Sequence, residues 1–288
     1  MTAEAGGGPD RGAASASPGL ADLPELLDQA LASGDEAPLR AALLHDSGLP
    51  GARLNLRLVG AFAAAVGAAV RLPEPEAPVG ALERLLDRWA ALPEDAAPGD
   101  QPAVILPCAA VAAYGEVGAV RPDWWDDEIA KLRRAAADGR WRVREVVASA
   151  LQRLLGADWD RTVGALLEWA ADADPLVVRA AAAAVAEPPL LRAEQRLASA
   201  AEVQRRAVRR LRASPAEQRS TPSERVPRQA LGFTIGVVAA ATGDFSLLED
   251  MASSRDPDLV WAARENLKKR RLQRWPSEVN RVRALLDR

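Results

Sequence analysis

At 288 residues, with 49% apolar and 27% charged side chains and a formal charge of −3, the chain has ample material for a packed interior, which excludes a wholly disordered polypeptide. Helix-favouring alanine is abundant while Thr, Tyr and Phe, which strands prefer, are scarce, so the composition points to an all-α fold. Cys108 and His45 are the only residues of their kinds. An internal disulfide is therefore excluded, and a Cys/His metal site or catalytic pair would need these two to meet; a buried thiol and a surface imidazole are expected instead.

In chain order, residues 1–19 are rich in Gly, Ala, Ser and Pro and carry no basic stretch leading into an apolar run. That is the composition of a disordered leader and not of a secretory signal. Short amphipathic helices are expected over 20–32 and 37–45, separated by Ser33-Gly34 and ended by Gly48-Leu49-Pro50-Gly51. An Ala- and Val-rich helix over 53–71 has little polar face in its second half. Beyond prolines 73, 75 and 78, the stripe Leu82, Leu85, Leu86, Trp89 and Leu92 predicts a helix over 79–92. The segment 94–102 reads as a seam between an irregular N-terminal part, 20–121, and more regular units beyond it. Residues 104–117 are almost wholly apolar, as expected of a helix sandwiched between neighbours. Uncharged apolar windows such as 58–70 fall short of the ~20 residues a bilayer core requires, so a soluble, cytoplasmic protein is expected.

Pro122-Asp123-Trp124-Trp125-Asp126-Asp127-Glu128 opens the next helix, with acidic groups at the positive end of its dipole. Trp125, Ile129, Leu132 and Ala136 form its stripe, and Trp124 lies beside it. In the following helix, over 139–155, apolar residues recur at 143, 146, 147, 150, 151 and 154, one face of a helix that cannot bury its stripe alone. At a spacing of 35, Asp174-Pro175 opens a second copy in which Val178-Arg179 matches Val143-Arg144. A weaker copy begins at Asp256-Pro257. Between them, a helix is expected over 190–213 with Leu197, Ala201, Val208 and Leu211 inward. Thr221-Pro222-Ser223-Glu224 has capping-box form and starts a helix to about 241. Helices over 245–253 and 257–271 and a capping helix within 276–288 complete the chain.

An Asp in the entering turn, then Val-Arg and small or branched apolar residues, recurring after 35 positions, resembles the second helix of HEAT-type repeats. The resemblance covers 122–187 and extends over 188–275. It implies a right-handed α-solenoid of antiparallel helix pairs, with HEAT-like repeats over 122–275. It also implies that Arg144 and Arg179 form a structural ladder, each reaching a carboxylate near a neighbouring turn.

What such a protein binds does not follow from the repeat; the expected function is a non-catalytic scaffold that presents the side chains of its second helices on a concave surface to another protein. Eight Trp against three Phe and one Tyr, together with 34 Arg, give the alternative of a nucleic-acid-binding protein similar to HEAT-like alkylpurine DNA glycosylases. No catalytic motif of that family matches, and the charge distribution departs from it. Residues 1–100 carry −8, 101–187 carry −3 and 188–288 carry +8, so an acidic start would repel phosphate and nucleic acid would have to use the basic C-terminal part. A lyase or activator holding a cofactor or client is a third reading. No phosphate loop, nucleophile elbow or dinucleotide fingerprint is present, so no catalytic residue, cofactor or metal ligand is assigned. The acidic pairs Asp126-Asp127 and Asp158/Asp160 are explained by helix starts. The partner-binding candidates are Trp261, Arg264, Lys268 and Arg271, placed near one another on a helix whose inward stripe is Val260, Ala263 and Leu267, and Trp124. Packing of Trp261 under Trp275 is the competing reading.

Overall fold

The computed structural model describes residues 20–71, 76–215 and 217–288; the leader expected over 1–19 lies outside them. Helices cover 78% of the described residues, and no strand occurs among them. The α-helices are α1 (Leu23–Ser33), α2 (Ala37–His45), α3 (Leu56–Arg71), α4 (Glu76–Ala90), α5 (Ile105–Val120), α6 (Trp125–Ala136) and α7 (Trp141–Ala157). They continue with α8 (Trp159–Trp169), α9 (Pro175–Ala184), α10 (Leu197–Ala213), α11 (Pro222–Thr242), α12 (Ser246–Ala252), α13 (Pro257–Leu267) and α14 (Pro276–Leu286).

Side chains written into the sequence set several of these starts. Asp158, Asp174, Thr221 and Asp256 each accept a hydrogen bond from a backbone N–H of the following first turn, at α8, α9, α11 and α13. Proline follows immediately in the last three, where its missing N–H costs nothing.

Each odd-numbered helix from α3 to α13 packs against the next, α3 on α5, α5 on α7, and so on to α11 on α13. From α4 to α12, each even-numbered helix packs on the helix that follows it, whereas α2 packs on α1 and α5. α5 lies deepest in the first half. Pro102–Val120 is long and apolar enough to cross a membrane by length alone, but 72% of it is buried inside the protein, between α3 and α7. Gly115 sets its distance from α7, because a Cβ there would come within 2.6 Å of the Ala150 backbone. Cys108 on α5 is fully buried, and burial pushes its thiol up to about 12; His45 is exposed.

The expected stripes of α4, α6 and α7 are the buried faces, with Leu82, Leu85, Leu86 and Trp89 each 2% exposed. Two later helices differ. α10 begins at Leu197, because Ala193 is extended and residues 190–196 form two 3-10 turns. α13 ends at Leu267. Lys269 is extended, and a 3-10 turn over Arg270–Arg274 follows. The break puts Leu272, 1% exposed, into the core, whereas a continuing helix would have carried it onto the Trp261 face.

The inward faces of these two helices also contain a polar residue. α10 buries Ala200, Val203, Gln204, Ala207, Val208 and Leu211, and α13 buries Leu259, Ala262, Ala263 and Asn266. The inward stripe of α13 is therefore rotated from the expected Val260, Ala263 and Leu267. Gln204 donates to the Ala182 carbonyl on α9 (2.8 Å) and accepts from Thr234 on α11 (2.9 Å). Asn266 donates to the carbonyls of Leu231 and Ala262 and accepts from the Gly236 N–H, all within 2.8 Å. Both amides bind helix to helix without a buried charge, which would demand far better compensation.

Candidate binding surface

The first turn of α7 is fixed by its arginines. Arg140, 5% exposed, grips Asp138 and donates to the carbonyls of Leu92 and Ala97, and Arg142 donates to Gly99 (2.6 Å). The 91–101 segment is thereby tied to α7. With residue 142 turned toward that segment, Trp141 stands 49% exposed, one face covered by the Arg142 guanidinium at 4.3 Å.

Arg144 and Arg179 lie next to it. Arg144 donates to the Asp138 and Gly139 carbonyls (2.6 and 2.7 Å), and Arg179 donates to the Arg144 carbonyl (2.5 Å) across the 35-residue interval. Arg179 links its helix to the preceding one, but through a carbonyl, and Arg144 stays within its own entering turn. Among the described residues, no carboxylate lies within ion-pair distance of either. The turn entering α7 presents its C=O groups toward Arg144, the first turn of α7 presents the Arg144 carbonyl toward Arg179, and Asp138 is already taken by Arg140. Burial pulls both guanidinium groups below their ordinary pKa, only partly opposed by Asp138 at Arg144 and by Glu145 at Arg179. Their charge is held in place by carbonyls and only partly offset by these carboxylates.

The third wall is one face of α11, where Val226, Gln229, Ala230 and Phe233 follow i, i+3, i+4, i+7 spacing. Phe233 is 42% exposed. Together with Trp141, Arg144, Glu145 and Arg179, these residues line a groove of about 370 Å³. Exposed aromatic residues across from desolvated cations are the composition of a binding surface, since exposed apolar area has a cost that ordinary packing would remove. Sequence reasoning assigned the two arginines a structural role and passed over Trp141 and Phe233. Trp141 precedes the apolar stripe, and Phe233 sits in a run of apolar residues where exposure leaves no mark.

The residues expected to form a site on α13 are dispersed. Trp261 is half-buried against Gly232 of α11, with Arg228 over its ring at 4.2 Å and Asp258 holding that guanidinium at 2.7 Å. Trp275 packs on Phe245 and faces Gly243. Arg264 is exposed and reaches the Leu286 carbonyl (3.3 Å), and Lys268 is paired with Glu265. Arg271 lies beyond the end of α13, in the 3-10 turn. Trp124, part-buried at the start of α6, is covered by Arg121 at 4.3 Å, which in turn pairs with Asp123. Of the acidic pairs, Asp158 caps α8 and Asp126 pairs with Arg161 (3.0 Å).

A second cavity, of about 380 Å³, includes Asp87, Tyr114, Lys131 and Arg134 in its lining. Tyr114 donates to Asp87 (2.8 Å), and Lys131 donates to Glu128 (2.9 Å) and lies 3.6 Å from Asp87. Burial pulls Lys131 down, but its hydrogen bond to Glu128 together with the negative charges of Glu128, Asp87 and Glu83 holds it above its ordinary value. A lysine so held stays protonated and is unsuited to act as base or nucleophile near neutrality. Glu128, 2% exposed, is pushed by burial up to about 7 despite Lys131, and its Oε2 has no protein partner. Among the described residues, no group of three His, Cys, Asp or Glu side chains is arranged to hold a metal.

Compared with known proteins, the chain matches no family model and no curated protein.

Proposed function

We propose that this chain is a cytoplasmic, non-catalytic binding scaffold, a right-handed α-solenoid of HEAT-like helix pairs whose groove over α7, α9 and α11 takes an acidic segment of a partner protein. The successive packing of odd-numbered helices and the Arg179-to-Arg144 bond across one 35-residue interval support the repeat reading. The observation that carries the function is the pairing of two exposed aromatic side chains, Trp141 and Phe233, with two half-buried arginines whose protein partners are carbonyl oxygens. An incoming carboxylate would supply the charge that Arg144 and Arg179 lack and form strong, bidentate bonds. An adjoining apolar side chain would cover the aromatics.

The test is selection of peptides from a display library against the whole chain and against Trp141→Ala and Phe233→Ala variants. Peptides rich in Asp and Glu should be enriched, and both variants should lose at least ten-fold in affinity for them, about 1.4 kcal/mol, while keeping the wild-type melting temperature. Enrichment without acidic character, or affinity unmoved by either variant, overturns the reading.

A further inference from the structure

We propose that a second site, independent of the groove, binds clustered phosphate oxygens in a pocket formed by Arg192, Arg270, Arg271 and Arg274. The pocket is about 500 Å³, within the usual range for small-ligand sites, and no acidic side chain contributes to its lining. Two 3-10 turns build it across α11. The turn over Leu190–Arg192 buries Leu191 and turns Arg192 outward, and the turn over Arg270–Arg274 buries Leu272 and exposes the arginines on either side of it. With three residues per turn, 271 and 274 lie on one edge. Leu191, Val237 and Ala240, each no more than 5% exposed, supply an apolar floor between the cations.

What distinguishes this cluster from scattered surface arginines is that its four members meet at one cavity whose lining holds no acidic side chain. Among the described residues, the guanidinium groups of Arg192, Arg270 and Arg271 make no ion pair or hydrogen bond with the protein. Arg274 donates only to the Ala240 carbonyl near the end of α11. Several cations of the same half are paired, in contrast: Glu202 receives Arg206 and Arg209, Asp250 receives Arg212, and Asp256 receives Arg219. Compensation of a helix C-terminus accounts for Arg274 but not for the other three, and α11 already closes on Gly243. Four like charges around one low-dielectric floor repel one another and focus a positive potential into the cavity. A ligand with several phosphates close together removes that repulsion through charge-assisted bonds, and a planar base fits the apolar floor. A nucleotide polyphosphate and adjacent phosphates of a nucleic-acid strand share this chemistry.

The experiment is calorimetric titration of the full chain with sodium triphosphate, ATP and a ten-residue oligothymidylate, each at 50 and 200 mM salt. Binding should be seen, and Arg271→Glu or Arg192→Glu should weaken it at least ten-fold. Arg255→Glu, exposed at the opposite end of α13, should leave it within two-fold. ATP binding tighter than the oligonucleotide assigns a small polyphosphate. Tighter oligonucleotide binding, displaced by triphosphate and falling with a log–log salt slope of about −0.7 per phosphate neutralised, assigns a single strand. The proposal is overturned if no ligand binds, or if Arg255→Glu weakens binding as much as the pocket variants do. A Trp141→Ala/Phe233→Ala variant should bind as wild type, so the groove and this pocket stand or fall separately.

Discussion

The groove over α7, α9 and α11 and the arginine pocket beside α11 use the same residue type in opposite ways. In the groove, Arg144 and Arg179 are half-buried and tied to carbonyls, so they are part of the fold and present a charge in a fixed position. In the pocket, Arg192, Arg270 and Arg271 are exposed and untied, so the fold positions only their backbones. Each site nevertheless rests on an uncharged buried amide. Gln204 of α10 joins α9 to α11, two helices that line the groove, and Asn266 joins α13 to α11, which floors the pocket. The difference teaches that arginine count says little about binding; what matters is whether the protein has already used the guanidinium.

The strongest way to break the comparison is at these amides. Asn266→Ala removes three hydrogen bonds and opens a gap in the buried α11–α13 seam, so it should cost about 3–4 kcal/mol. Gln204→Ala removes two and should cost about 2–3 kcal/mol. Urea unfolding checks both, and equal or reversed losses would mean that the two junctions do not follow their bonding. The interface of α5 and α6 sharpens the contrast by burying an ionisable group instead. Glu128 keeps its proton up to about 7 when folded, against an ordinary 4.5, so between these values the native state binds more protons than the unfolded chain. Its contribution makes stability fall as pH rises through that window. Glu128→Gln should remove about 1–3 kcal/mol of that fall relative to wild type, measured as urea midpoints from pH 4 to 8. An unchanged difference across the window would contradict it. The smallest effect belongs to the untied arginines: Arg271→Ala should change stability by less than about 0.5 kcal/mol, whereas Arg179→Met should cost about 1–2 kcal/mol by removing the hydrogen bond that ties α9 to the Arg144 carbonyl of α7. Thermal melts of the two variants side by side decide this.

Much of the fold was legible in the sequence because α4, α6 and α7 bury unbroken apolar stripes and because Asp174-Pro175, Thr221-Pro222 and Asp256-Pro257 carry their own caps. Local chemistry of that kind acts over one turn of helix and needs no partner. The sequence also located the excess of positive charge in the last third. The inward faces of α10 and α13 were not legible, since Gln204 and Asn266 look like surface residues until the carbonyls of neighbouring helices are in place. The end of α13 was hidden for a related reason. Leu272 continues a plausible helix face, and only the core it enters makes the chain break and turn Arg270, Arg271 and Arg274 toward Arg192. Trp141, Phe233 and the four arginines become sites through juxtaposition across tens of residues, and exposure and pairing are properties of the packed helices. The sequence by itself determined the helices, their caps and the charge of each region; the tertiary structure decided which side chains spend their hydrogen bonds inside the protein and which are left to meet something else.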